Sequence, residues 1–309
     1  MAEAIAVPQH TLSESGSART IDIYGWVITA STNAISNASE CDALQAALGF
    51  PLPEMTFGNN YLSLEHRPSG WKLVLDTKGA LSAVKGGELE EGDGGVKVGY
   101  ADAWLRSRTD PGTNLPLPTT VVAKPYDWTY TTTYPGHHPH ADDPSDSTIW
   151  TDADPDNPAH TIPLSELTRP DPILFYAEVP LFEDELHDNG SSHILVRIRV
   201  MPTCIFILAR FTLRVDNVLF RIHDTRIFHS FTTSGSPIIV RQLSGWEAPC
   251  DRVKRQLPRR NDLTPLTDVN FIAKVLTEMP CEASQKVGAG TRWRGLRTKV
   301  QVSKLESRE

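Results

Sequence analysis

The chain has 309 residues, of which 39% are hydrophobic and 22% charged, and its formal net charge is −8. This length can bury a large core in one or two domains, and no apolar run approaches the ~20 residues that span a bilayer. The four cysteines show no metal-binding or redox spacing, and the N-terminus lacks the pattern of a secretory signal. We therefore expect an intracellular protein that is not inserted in a membrane.

The charge is unevenly distributed along the chain. Residues 135–160 contain six aspartates and five prolines but no lysine or arginine, whereas residues 251–309 contain 13 Lys/Arg against 7 Asp/Glu. A proline-broken loop of this length is typical of a functional or disordered segment. The pattern indicates an acidic loop insertion and a basic C-terminal part rather than a uniformly acidic surface.

The N-terminal third predicts a polar tail followed by strands and one helix. Residues 1–18 are small and polar, which predicts a disordered tail. Residues 20–29 predict one strand, and Ser39 is a candidate N-cap for a helix that ends at Gly49. Further along, the aromatic and threonine-rich residues 124–134 predict another strand.

The clearest pattern lies between residues 182 and 229. Around residues 196–200, apolar residues alternate with arginines, which is typical of a half-buried strand. Residues 204–215 predict a central strand, and Asp216-Asn217 predict a two-residue hairpin turn into the next strand. Asp268 then predicts the N-cap of an amphipathic helix.

These elements predict an α+β fold: one β-rich domain, mostly an antiparallel sheet or sandwich, with a few short helices. We place the domain at residues 19–302, including the loop insertion 135–160, and expect residues 303–309 to form a C-terminal tail.

An acidic segment is the first candidate for chemistry. It contains Glu183, Asp184, Glu185, His187 and Asp188 within six positions. The D-x-D-x-D-G pattern of calcium loops and the H-E-x-x-H spacing of zinc enzymes are both absent. The segment favours a solvated or partner-facing edge without a cofactor, and a metal-dependent hydrolase that uses this cluster is the alternative.

The loop insertion contains a second cluster. Its members are His137, His138, His140, Asp142 and Asp143. Such histidine clusters bind zinc or nickel adventitiously, and a proline-broken loop supplies no ordered surrounding shell. We do not expect a resident metal there.

Two further motifs could suggest catalysis or nucleic-acid binding, and for both we favour an interpretation without such a function. His223 and Asp224 are neighbours in a strand, so their side chains point to opposite faces and do not form a catalytic pair. Hydrogen bonds between Asp224 and Arg226 that fix a strand end are the preferred interpretation. The basic run 252–260 has no interleaved aromatic residue, so nucleic-acid binding is not expected.

Several blocks resemble one protein family. The blocks KPYDWTYTT, LFEDELHDNGSS, VRIRVMPT, RFTLRVDNVLFRI and DTRI occur in this order and are similar to the signature of the TIPRL family. The resemblance implies a monomeric, non-enzymatic regulator of TOR nutrient signalling. It implies binding to the catalytic subunit of type 2A-like protein phosphatases, including its C-terminal tail, and to a Tap-type (alpha-four-type) subunit. It also implies a cytoplasmic location, with the nucleus as a second.

The resemblance also suggests which residues contact the partner. It implies contacts at Ile162, Ile222 and Asp224, and we add Arg226 of the same D-T-R block and Glu183 and Asp184 of the acidic edge as expected partner-binding residues. We expect Asp224, at a strand end, to face the electropositive metal centre of the phosphatase. Two positions depart from the family pattern: Gly79 stands where the family has an acidic residue, and Arg297 stands where it has a glycine.

Overall fold

The computed structural model describes residues 6–84, 129–139, 149–168, 171–186, 189–231, 237–279 and 296–305. The strands are β1 Thr11–Ser15, β2 Ala18–Ile23, β3 Trp26–Ser31, β4 Met55–Thr56, β5 Tyr61–His66, β6 Trp71–Asp76, β7 Thr151–Asp152, β8 Phe175–Asp184, β9 Gly190–Val200, β10 Cys204–Val215, β11 Leu219–Ser230, β12 Ile238–Pro249 and β13 Leu296–Lys304. The α-helices in these ranges are α1 Ala38–Leu48, α2 Thr77–Ser82, α3 Cys250–Lys254 and α4 Val269–Glu278.

The strands form two antiparallel sheets that pack face to face. The small sheet has the order β1-β2-β3-β5-β6, and the large sheet has the order β4-β8-β9-β10-β11-β12-β13-β7. Short 3₁₀ turns occur at Pro158–His160, Leu164–Thr168 and Thr264–Thr267. The predicted β-rich α+β class is confirmed. None of the helices that the structure describes is both long and apolar enough to cross a membrane.

The small sheet corrects two predictions. Residues 20–29 are a hairpin rather than one strand, because Tyr24 (φ 52°) and Gly25 (φ 79°) both adopt the left-handed conformation of a tight hairpin turn. Residues 11–15 form β1 and residue 18 begins β2, so this part of the predicted tail is ordered by backbone pairing. Polar composition predicted disorder, but an edge strand with an exposed face needs few apolar residues.

The core lies between the two sheets. Alternate residues of β10, among them Ile207, Phe211 and Leu213, are buried against residues of the small sheet such as Trp26 and Leu73. We call this side of the large sheet the inner face and the opposite side the outer face. Cys204 is buried, as a thiol within an apolar strand predicts.

The hairpin between β10 and β11 has the predicted position but one more residue in its loop. Val215 pairs with Leu219, so Asp216, Asn217 and Val218 form the turn. Asn217 has φ 61° there, a conformation that asparagine tolerates better than most residues. Because the loop has three residues, the register between β10 and β11 differs by one from that of a two-residue turn.

Helix caps follow short-range sequence signals, with one correction. Helix α1 begins after Asn37, not Ser39. The Asn37 side-chain oxygen accepts from the Glu40 backbone N–H, and the Glu40 carboxylate accepts from the Asn37 backbone N–H, which is a capping box. It ends at Gly49 (φ 77°), as predicted. Asp268 caps α4 as predicted, since its carboxylate accepts from Asn270 N at 2.8 Å.

Two predicted boundaries also change. Residues 129–134 are not a strand, and residues 124–128 of that predicted strand lie outside the described residues. At the C-terminal end, β13 continues through Lys304, and Leu305 is buried with its N–H bonded to Pro237 O. Residues 303–305 therefore belong to the large sheet and its core rather than to a tail.

Two apolar patches cover part of the outer face. At one end, α3 and α4 pack over Phe220 and Ile222. At the other end, Ile162 and neighbouring residues pack on Met201 and Phe228. Between these patches, polar side chains of β9, β10 and β11 occupy the outer face.

A candidate docking site on the outer face of the large sheet

Three charged residues form a cluster at the middle of the outer face. Arg210 on β10 lies directly opposite Asp224 on β11. Its Nε and Nη2 donate to the two Asp224 oxygens at 2.7 and 2.8 Å, and Arg226 Nη2 donates to Asp224 Oδ2 at 2.7 Å. Burial lowers the pKa of Arg226, an effect that Asp224 opposes and Arg210 adds to. We call these three residues the Arg–Asp–Arg cluster.

The cluster corrects the expected position of Asp224. Asp224 lies in the middle of β11 rather than at a strand end, and its side chain has no exposed surface. Arg210 and Arg226 retain 11% and 19% side-chain exposure. The carboxylate therefore orients two arginines, and the charge that reaches the surface is positive, not negative. The predicted Asp224–Arg226 hydrogen bond is present.

A groove of about 680 Å³ lies beside the cluster on the same face. Strands β8, β9 and β10 form its floor, and the segment leading into α4 forms one wall. The lining residues that matter chemically are His193, Arg197, Thr212, Arg214, Glu183 and Glu185, and apolar residues such as Phe220 and Ile272 line the rest. The groove thus combines ionisable groups with apolar surface, as small-ligand and peptide sites do.

The floor of the groove contains a buried hydroxyl without a partner. Thr212 is 5% exposed, and within the described residues its Oγ1 makes no hydrogen bond. Arg214 is ion-paired with Asp216, its Nε 3.0 Å from Asp216 Oδ1, although the two groups are not aligned for a hydrogen bond. Buried polar groups normally have a partner, so the Thr212 hydroxyl is a candidate contact for a bound ligand.

His193 connects the floor to the rim of the groove. It lies opposite Thr212 on β10 and opposite Glu183 on β8. Burial lowers the pKa of His193 to about 4, and the positive charges of Arg197 and Arg210 contribute. The imidazole is therefore neutral at pH 7.

The other predicted contact residues divide into structural and exposed groups. Ile222 is fully buried beneath α4, and Ile162 packs in the apolar patch at the opposite end of β11. Asp184 accepts from Glu54 N at 3.0 Å and Leu186 N at 3.1 Å, so it fixes the end of β8. Glu183 is exposed at the groove rim. No observation tests whether these residues contact a partner, and that remains a prediction.

The two histidines of the loop insertion that the structure describes have structural partners. His137 Nδ1 is 2.7 Å from Tyr134 Oη, and His138 Nε2 accepts from Trp150 Nε1 at 3.3 Å. Among the described residues, no three His, Cys, Asp or Glu side chains are close enough to hold a metal. The remaining candidates lie outside the described residues: His140, Asp142, Asp143, His187 and Asp188.

His223 points to the inner face, opposite to Asp224, as the strand pattern predicted. Its ring stacks on Phe211 with centroids 5.8 Å apart. Burial lowers the pKa of His223 to about 3, and Arg221 adds to this effect. The two neighbours therefore serve different faces and do not form a catalytic pair.

The two departures from the family pattern have different structural settings. A Cβ on Gly79 would lie 2.5 Å from Tyr134 Oη, so the tyrosine hydroxyl fills the space of a side chain at this position. The family's acidic side chain cannot be accommodated there unless Tyr134 moves. Arg297 lies within β13.

Sequence reasoning missed Arg210, His193 and Thr212, which build most of the site. Arg210 could have been found from the hairpin, since a three-residue loop places it opposite Asp224. His193 and Thr212 carried no motif, and only the pairing of β9 with β10 brings them together. In the basic run 252–260, Val253 and Leu257 anchor the segment in the patch beneath α4.

Comparison with known proteins places the chain in a family. A profile of the TIP41-like family matches residues 55–254. The chain is 33% identical to the type 2A phosphatase activator TIP41 of Saccharomyces cerevisiae over 281 residues, covering 86% of this chain and 74% of that protein. It is 34% identical to tip41 of Schizosaccharomyces pombe, covering 79% and 88% of the two chains. It is 40% identical to the human TIP41-like protein, covering 66% and 68%. The chain belongs to the TIP41-like family, which confirms the family resemblance in its sequence.

Proposed function

We propose that this protein is a non-catalytic regulator that docks on the catalytic subunit of a type 2A protein phosphatase through the outer face of its large sheet. Two fungal relatives are named type 2A phosphatase activators. The observation that carries the proposal is the groove, where the Thr212 hydroxyl, without a partner among the described residues, and the partly exposed Arg214 lie near the two arginines of the Arg–Asp–Arg cluster.

The chemistry of the groove favours a chain end with a negative charge and an apolar side chain. The floor offers Thr212 Oγ1, Arg214 Nε and the His193 ring, and the wall offers Phe220 and Ile272. A carboxylate would accept from the buried donors, and an apolar side chain would cover the wall. The C-terminal tail of the phosphatase catalytic subunit fits this description, and we propose the tail as the occupant.

Regulation through docking needs no reaction by this protein. By binding the tail in its groove, the protein would control whether other subunits, including a Tap-type subunit, can bind the catalytic subunit. We further propose that the protein acts as a monomer in TOR nutrient signalling in the cytoplasm, with the nucleus as a second location.

Binding of the purified chain to a purified type 2A catalytic subunit tests the proposal. We expect capture by the wild type and at least a tenfold loss of affinity for Arg214→Gln, since a charge-assisted hydrogen bond contributes about 1.5–3 kcal/mol. Arg199→Gln is the matched control, because Arg199 is exposed and does not line the groove. Equal affinity of Arg214→Gln and wild type would exclude the groove, and no capture at all would exclude docking.

A further inference from the structure

A row of basic residues lies on the segment that covers one end of the outer face. We call these four residues the basic strip: Lys254, Arg255, Arg259 and Arg260. The three arginines are exposed and the lysine is half-buried. Val253 and Leu257, which are interleaved with them in sequence, are buried in the apolar patch beneath α4. The segment is thus held on the protein by its apolar side chains while its cations remain at the surface.

The charges of the basic strip are not neutralised by the described part of the chain. None of the three guanidinium groups forms a hydrogen bond or an ion pair with a described residue. Lys254 Nζ donates to the neutral Asn217 Oδ1 at 2.9 Å. The carboxylates of Asp262 and Asp268, which follow the strip, each accept a backbone N–H. Residues 251–274 contain six Lys/Arg against three Asp/Glu, so this surface is positive although the whole chain is acidic.

The basic strip adjoins the wall of the groove. Its anchors Val253 and Leu257 share one apolar patch with Phe220, Leu266 and Ile272. The last three residues also line the groove. One layer of apolar side chains therefore separates the strip from the groove, and a protein docked in the groove would lie beside the strip.

We propose that the basic strip pairs with an acidic surface of the same protein partner that docks in the groove, and that it steers this partner during association. The inference rests on the proposed function, because it assigns a second contact surface to that partner. Charge complementarity defines its chemistry, since exposed guanidinium groups pair with carboxylates through two parallel hydrogen bonds. Opposite charges beside a docking site orient the partner and raise the association rate.

Nucleic acids and membranes match this surface less well than an acidic protein does. Proteins that bind single strands stack bases on exposed aromatic rings, whereas Phe271 and Trp246, the aromatic residues at the edge of this patch, are half-buried. Helices that lie on membranes present a row of apolar side chains beside their cations. Within residues 251–274, Leu263 alone is a large hydrophobic residue with an exposed side chain. Continuity with the docking groove also favours a protein.

Association kinetics with a purified type 2A catalytic subunit test the inference, because salt screens steering over a Debye length of ~10 Å at about 0.1 M. We expect Arg255→Glu/Arg259→Glu/Arg260→Glu to slow association by ~tenfold or more at about 50 mM NaCl, and by less than ~threefold at about 500 mM. Urea unfolding should match that of the wild type, since the three side chains make no contact with described residues that the change could break.

Two matched triple variants serve as controls. Lysine at the same three positions preserves the charge, so this variant should keep the wild-type rate and its salt dependence. Arg67→Glu/Lys299→Glu/Lys304→Glu makes the same change in net charge at exposed positions outside the strip. It should slow association by less than ~threefold at about 50 mM NaCl, because these charges lie away from the groove wall.

The outcomes separate this inference from the proposed function. Equal rates for the wild type and the charge-reversal variant, or an equal loss in the control triple, would overturn the inference and leave docking in the groove intact. Binding of the wild type to duplex DNA or to phosphatidylserine vesicles at about 150 mM salt, lost in the charge-reversal variant, would assign the strip to another partner and overturn it too. No binding of the phosphatase by the wild type would overturn the proposed function as well.

Discussion

The two faces of the large sheet both contain buried charges but use them differently. On the inner face, Arg221 is paired with Glu247 at 2.5 Å, and its Nη1 donates to Thr131 Oγ1 at 3.0 Å. On the outer face, Arg210 and Arg226 share Asp224 and stay partly exposed. The inner pair is bonded to Thr131 of a distant segment, whereas the outer cluster lies next to the groove, with Arg210 two residues along β10 from Thr212 in the groove floor. The inner charges therefore tie the sheet to another part of the chain, and the outer charges lie beside the proposed docking surface.

The largest expected effect comes from removing the shared carboxylate on the outer face. Asp224→Ala leaves two arginines buried without a counter-charge, and breaking a buried pair in this way costs about 3–5 kcal/mol. Urea unfolding should show this loss in the free energy of unfolding. Asp216→Ala, which removes a half-exposed ion pair to Arg214, should cost about 1 kcal/mol or less. Similar losses in both variants would show that the cluster is not a special feature of the outer face.

A second change tests whether the covered end of the outer face is core or interface. Ile222→Ala removes a fully buried side chain beneath α4, so it should lower the free energy of unfolding by about 2–5 kcal/mol. If Ile222 instead contacts a partner directly, phosphatase affinity should fall while stability changes little. Measuring both quantities on the same protein distinguishes the two roles.

The third prediction concerns the pH dependence of the inner face. The pKa of His223 is about 3 in the folded state and ~6.5 when unfolded, so the unfolded chain binds the proton first. Stability should therefore fall as pH drops from ~6.5 toward 3, by on the order of 2–3 kcal/mol between pH 7 and pH 4. His223→Phe, which preserves stacking on Phe211, should flatten this part of the curve.

Chemical denaturation at pH 7, 5.5 and 4 checks the His223 prediction. His10→Gln is the control, because that half-buried histidine lies near the N-terminus, away from the core. A slope in His223→Phe equal to that of the wild type would assign the acid sensitivity to other groups, among them His193 on the outer face.

The smallest effect is expected at the edge of the large sheet. Asp184→Ala removes two hydrogen bonds to backbone N–H groups, and the loss of such a cap costs about 1 kcal/mol. Glu183→Ala removes an exposed side chain and should change stability by less than about 0.5 kcal/mol. Since both were predicted to bind a partner, a drop in phosphatase affinity larger for Glu183→Ala would favour a direct contact at the groove rim.

Much of the large sheet could be predicted because alternation is unambiguous where one face is apolar. The arginines of β9 alternate with buried valine and isoleucine, so the strand and its inner face were clear from the sequence. In β11 both faces contain ionisable residues: Arg221 and His223 on the inner, Asp224 and Arg226 on the outer. The pattern there could not indicate which face would be buried, and Asp224 was wrongly placed at a strand end.

One residue in a turn explains why the cluster was missed. A two-residue loop at Asp216-Asn217 would place Arg210 opposite His223 and Asp224 opposite Ala209. The three-residue loop shifts the register by one, which sets Arg210 opposite Asp224. The sequence signal for a hairpin was correct, but the third loop residue, Val218, is held by backbone hydrogen bonds to Val215 and to the distant Cys250. The hydrogen bond from Arg221 to Thr131 on the inner face could not be predicted from the sequence, because the two residues are 90 positions apart.

The two ends of the acidic insertion are attached to different sheets. His137 exchanges two backbone hydrogen bonds with Val74 in β6, and β7 pairs with β13 while the Trp150 ring lies 3.9 Å from the Arg241 guanidinium carbon. The two anchors also contact each other, since Trp150 Nε1 donates to His138 Nε2 at 3.3 Å. With both ends held in this way, lengthening the connection costs free energy that grows only with the logarithm of the number of residues. A fluorescent reporter or an affinity tag can accordingly be inserted at this position without replacing any residue on the outer face of the large sheet.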